Sequence, residues 1–237
     1  MAAVERLIVF QSWKTNAKLT QQWLFWVSFL AVLAGMVLTH FGIGPFRQED
    51  NGSVVRVIET VIPLTVGVLS ALLFSPESEP SLEILLSCRR PIVWVLIERL
   101  VYVFILEVGI ALLGNIITHG LGWAGEEPFS LSVLRWLAPL LFLSGVAVYG
   151  TQITRQGMYG MLLVTLMWGG MFLGGNPLLR KWPFLWPIHL YLQPEVVPIQ
   201  LYFWNRAFAF LSGFVLIALA AYLTSNEERL LGLKGGR

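Results

Sequence analysis

Hydrophobic positions in this chain gather into long runs, without the strict alternation of a half-buried strand. Six runs, at about 22–44, 56–74, 91–118, 131–150, 157–175 and 205–224, approach or exceed the roughly 17–25 apolar residues that cross a hydrocarbon layer as a helix. Turn-forming or polar residues separate them. Trp23 and Trp26 open the first run as interface aromatics, and the third is long enough to tilt. The pattern predicts an all-α polytopic membrane protein with six transmembrane helices in a single domain, 1–237.

Residues 1–20 differ from the runs. Val4, Leu7 and Ile8 recur at helical spacing, with Phe10 and Trp13 near them, while Glu5, Arg6, Gln11, Ser12 and Lys14 fill other faces. No short apolar core followed by a small-residue cleavage site is present, so this is not read as a secretory signal. It is read as an amphipathic interfacial helix lying on the membrane before the first span.

Composition agrees. The 237 residues are 56% hydrophobic and 13% charged, with mean hydropathy +0.71, against about a quarter charged in soluble domains. Too little polar surface exists to cover a water-facing globule. The net charge of +2 argues against a nucleic-acid partner, and the lone Cys88 excludes an internal disulfide framework or a multi-cysteine metal site.

The position of the cations orients the spans. With a cytoplasmic N-terminus, Arg6, Lys14, Lys18, Arg89, Arg90, Arg155, Arg229, Lys234 and Arg237 fall on the inner side, and only Arg47, Arg180 and Lys181 on the outer. The positive-inside rule therefore places both termini in the cytoplasm. Arg56, Arg99, Arg135 and Arg206 lie within spans or at their edges.

Two outer connections are short and turn-rich. The third, 176–204, carries Pro177, Pro183, Pro187, Pro194 and Pro198 and seven aromatic residues. It is too broken to span and too apolar for a solvated loop. It is read either as an outer re-entrant or interfacial segment dipping into the mouth of the bundle, or as an aromatic belt on the outer leaflet.

One inner connection, SPESEPSLEILLSCRRP (75–91), is written like a folded element. Ser78 or Glu79 can cap a helix over 78–90, and Pro80 fits its first turn. Leu82, Leu85 and Leu86 share a face. Acidic Glu77, Glu79 and Glu83 come early and Arg89 and Arg90 late, which suits the helix dipole. So short a helix is marginal alone. Burying three leucines would contribute about 5–8 kcal/mol, given an apolar surface to receive them. The acidic rim favours a groove on a cytoplasmic protein over the anionic inner leaflet.

Leu82-Glu83-Ile84-Leu85-Leu86-Ser87, between the second and third of six spans, resembles the coupling helix of the ABC-2 family of transporter permeases. That family's stretch reads like E-x-G-T-L-E-L-L-L-x-x-P. Here Pro80-Ser81 replaces the Gly-Thr pair and Pro91 comes late. The resemblance implies that Glu79, Ser81, Leu82, Glu83, Leu85 and Leu86 dock into a separate P-loop ATP-binding subunit. It implies further that two permeases, identical or related, pair around a pathway, with 176–204 as an outer gate segment. A haem-exporter-like permease falls in the same broad class. The chain has no G-x-x-x-x-G-K-[ST], so ATP and Mg are expected on the partner and no cofactor in this chain.

Within the spans, Glu107 stands deepest and is a candidate pathway charge or a carboxyl bonded between helices. Glu98 and Arg99 lie close enough to the inner interface to snorkel. Glu59 sits near an outer end. Gly170 and Gly174 form a GxxxG that suits either the contact with a second permease or packing within one chain. His40, His119 and His189 lie near outer ends, with no metal-binding spacing, and are read as interface residues; no metal site is assigned.

The leading functional expectation is therefore the transmembrane subunit of an ATP-driven ABC-2 exporter in the plasma (inner) membrane, not itself an enzyme. An intramembrane protease is disfavoured: Ser144 lacks a preceding glycine, and Glu126-Glu127 lacks an arginine at the required spacing. The remaining alternative is a non-catalytic membrane scaffold or assembly subunit, which gives no reason for a capped helix with an acidic rim.

Overall fold

The computed structural model describes residues 22–41, 53–73, 75, 91–181, 189–192 and 197–225. Six helices make up their regular structure: α1 (Gln22–His40), α2 (Ser53–Leu72), α3 (Ile92–Gly120), α4 (Phe129–Thr154), α5 (Gly157–Lys181) and α6 (Ile199–Thr224). No strand occurs among the described residues. A helix closes its hydrogen bonds within one segment, which is what a lipid-facing backbone requires. Among the described residues, four stretches are long and apolar enough to cross a membrane: Val54–Leu72, Ile92–Gly120, Phe129–Thr154 and Ile199–Thr224. The chain is thus an α-helical membrane protein.

Proline sets three of the helix starts. Pro91, Pro128 and Pro198 stand as N-caps of α3, α4 and α6 with extended backbones (ψ 131°, 141° and 133°). Their carbonyls accept the first helical bonds, from Trp94 (3.0 Å), Leu131 (3.0 Å) and Leu201 (2.9 Å). The cap position uses no N–H of its own, so proline's missing donor costs nothing there.

Pro198 also corrects the expected outer segment. The last helix begins at Ile199 instead of near 205, and α5 runs on through Lys181. Residues 176–181 and 199–204 are therefore helical; between them, 189–192, 197 and 198 are described and are not helical. The proline-rich composition hid helical turns on either side of it.

Side-chain contacts sort the helix ends onto two faces. At one, the Leu73 end, Arg99 Nη1 donates to the Leu73 carbonyl (2.8 Å) and Thr151 Oγ1 to the Ala71 carbonyl (3.3 Å). Ser75 Oγ donates to the Arg155 carbonyl (3.1 Å) and accepts from the Gly157 amide (3.0 Å). The close of α2 and α4 and the start of α3 and α5 meet here. At the opposite, Glu59 end, His40 stacks on Trp123 (4.2 Å between centroids), and Trp168 Nε1 donates to the Thr60 carbonyl (2.8 Å). The chain runs up and down in strict alternation.

Helices α2 and α4 form the centre. Trp136, Leu140, Leu141 and Val148 of α4 meet Val57, Ile58, Ile62 and Val66 of α2 in the main core. Helix α6 lies against α4 where two glycines meet: a Cβ on Gly145 would come within 2.6 Å of the Gly213 carbonyl oxygen. Outward faces are apolar, with Leu30, Ile105, Leu113, Leu166, Leu211 and Phe214 exposed, whereas Glu59, Glu107, Asn115, Arg135 and Arg206 are buried. Apolar side chains outside and charges inside is the arrangement a hydrocarbon surround selects.

Candidate functional site, a buried charge cluster

Glu59, Arg135 and Arg206 stand six, six and seven residues past the first residue of α2, α4 and α6. Those helices start at the same end, so the three side chains arrive at one level. Glu59 bridges the two cations. Its Oε2 takes Arg135 Nε and Nη2, each at 3.1 Å, and its Oε1 takes Arg206 Nη2 at 3.1 Å. Arg135 Nη1 also donates to Glu127 Oε2 at 2.7 Å, which ties in the α3–α4 connection. Two guanidinium groups thus meet two carboxylates. The side chains are 1% exposed for each arginine and 3% for Glu59. Taking one charge from such a set leaves the others buried without compensation, a cost of about 3–5 kcal/mol.

Arg206 has a second task. Its Nη1 donates to the Leu190 carbonyl (2.5 Å) and its Nη2 to the Leu192 carbonyl (3.0 Å), while neighbouring Asn205 Nδ2 donates to the His189 carbonyl (3.0 Å). Three carbonyls of residues 189–192 are thus held by consecutive side chains of α6. The guanidinium also lies over the Tyr202 ring, 4.9 Å from its centroid. Leu192, Val197 and Tyr202 close the site as a small apolar cluster, with Leu131 and Leu134 of α4 against it. The planar fork of arginine reaches two carbonyls and a carboxylate at once, which a lysine ammonium does not do in this geometry.

His189 is buried in this site, not an interface residue as its position suggested. Burial chiefly, and then the Arg206 cation, hold its imidazole below the ordinary histidine value, with Glu59 opposing. His119 packs edge-on to Phe129 (5.3 Å). Among the described residues no group of three metal-ligating side chains occurs.

The charges singled out from the sequence fall elsewhere. Glu107 is fully buried between helices of the bundle and accepts a long hydrogen bond from Thr65 of α2 (3.4 Å), with the Ser28 hydroxyl of α1 also in reach. Arg99 does not snorkel: it is 6% exposed and turns inward to the Leu73 carbonyl just past α2, where its charge complements the helix C-terminus. Glu98 beside it is half-buried. Gly170 faces open space, with nothing within 4 Å of where a Cβ would stand, and Gly174 lies one turn further along α5. Close helix approach inside the chain falls instead to Gly145, Gly160 and Gly213.

The coupling-helix residues Glu79, Ser81, Leu82, Glu83, Leu85 and Leu86, and the interfacial helix 1–20, lie outside the described residues. No family model, curated protein or solved structure matches the chain.

The charge cluster itself was missed by reading each ionisable residue alone. A partial signal existed: one acid and two arginines within the first five residues of runs two, four and six, which share a direction. Charges of opposite sign at one depth are a pairing pattern.

Proposed function

We propose that this chain is the membrane-spanning subunit of an ABC-2 type exporter, with α1 and α5 crossing the membrane as well, six spans in all, and both termini in the cytoplasm of a plasma (inner) membrane. A second permease copy or relative completes the pathway, and separate P-loop subunits supply ATP hydrolysis.

The observation that carries this reading is the anchoring of the 76–90 stretch. Its described neighbours in the chain, Ser75 after α2 and Pro91 before α3, stand at the Leu73 end. Leu73 is held by Arg99 of α3, and Ser75 by the Arg155 carbonyl and the Gly157 amide at the α4–α5 turn. A push on residues 76–90 therefore bears directly on α2, α3, α4 and α5. A docking plug needs that linkage, and a solvated loop does not.

The test is co-purification in mild detergent of wild type beside Leu85→Glu, from cells expressing the neighbouring genes. Recovery of an ATPase with wild type and its loss with Leu85→Glu supports docking through this stretch. Absence of any ATPase, or its full retention by the variant, removes the exporter reading and leaves a membrane scaffold.

A further inference from the structure

Residues 189–192 touch the bundle through a device that is more than packing. Their carbonyls at 189, 190 and 192 are held by Asn205 and Arg206, and Arg206 is itself held by Glu59. Glu59 also holds Arg135, which holds Glu127 at the α3–α4 connection. One carboxylate thus links α2, α4, α6, one connection and one strap. Both central helices carry a proline four residues beyond the charge they contribute, Pro63 after Glu59 and Pro139 after Arg135. Proline removes the backbone donor that would have bonded the carbonyl four residues earlier, so α2 and α4 each lack a rung one turn from the cluster. Helices bend at such turns.

We propose that Glu59 is the hub of a latch: residues 189–192 are clamped onto the bundle while Glu59 and Arg206 stay paired, and they swing clear when the pair parts, with α2 and α4 flexing at Pro63 and Pro139. The latch holds residues 189–192 at the Glu59 end of the bundle. Parting the pair leaves Arg206 without its carboxylate, a cost that favours the clamped arrangement. The latch is a property of this bundle alone and stands whether or not an ATPase docks at the opposite end.

The test is the labelling rate of a thiol placed at Leu192, which is 3% exposed. Leu192→Cys is made in a Cys88→Ser background and treated with a membrane-impermeant maleimide. Glu59→Gln is expected to raise the rate by at least about tenfold, the population change for losing one charge-assisted buried bond. Glu59→Asp keeps the negative charge but draws the carboxylate back from Arg206 by one methylene; a rise of about threefold or more is expected. An unchanged rate in a Glu59→Gln protein that retains its wild-type gel-filtration profile overturns the latch. If that variant does not fold, an unchanged rate in Glu59→Asp overturns it equally. A rise in both, with ATPase recovery unaffected, supports the latch independently of docking.

Discussion

At the scale of single residues, burial decides what each ionisable group does. Glu107 and Glu59 are both carboxylates inside spans, but Glu59 meets two guanidinium groups and Glu107 only hydroxyls. His189 shows the same rule in a titratable ring. Its folded-state value lies below the ordinary one of about 6.5, so below that pH the unfolded chain binds the proton more readily than the folded one. Stability from this group is therefore present above about pH 6.5 and is lost as pH falls through the depressed value. The expected outcome is a melting temperature in detergent that drops between pH 7.5 and 5.5, with a smaller drop in His189→Gln. Equal drops in the two proteins would assign the pH dependence to other groups.

At the scale of helices, the two kinds of glycine separate cleanly. Gly213 stands where a Cβ would lie 2.7 Å from the Leu141 carbonyl oxygen, so α6 cannot approach α4 as it does with any larger residue. Gly213→Val is expected to destabilise the bundle by roughly 1–3 kcal/mol or more through overpacking, read as a lower denaturation midpoint. Gly170 has open space around it, and Gly170→Ala should be neutral or stabilise α5 by about 0.5–1 kcal/mol. If a second permease packs on α5 there, Gly170→Leu weakens pairing, seen by cross-linking in membranes, without lowering the melting temperature of the single chain. Loss of single-chain stability in Gly170→Leu would place that glycine in internal packing after all.

At the scale of the whole molecule, alternation of the helices separates two ends with different chemistry. The Glu59 end is pinned by charges, and the Leu73 end by backbone caps around the 76–90 stretch. On the orientation proposed above from the distribution of Lys and Arg, the Leu73 end faces inward. In membrane vesicles, Glu126→Cys in a Cys88→Ser background, at an exposed turn of the Glu59 end, should react with an impermeant maleimide from outside. Native Cys88 should react only from the cytoplasmic face. The opposite pattern would turn the bundle over and remove any cytoplasmic partner from reach of residues 79–86.

By itself the sequence determined the helical membrane class, the existence of the six helices and most of their limits, because long apolar runs and proline starts are local properties read over one turn or one run. It also carried the expected docking stretch as a pattern of caps and leucines. It did not disclose that Arg135 and Arg206 converge on Glu59, that Arg99 turns inward, or that Gly213 and not Gly170 stands at a close helix crossing. Those facts depend on which helices stand beside one another and at what rotation. Residues 76 and 147 positions apart became partners of one carboxylate only through packing. Sequence gives the depth of a charge along its helix; the direction it faces is set by the neighbours, and in hydrocarbon that direction decides whether a charge is paired.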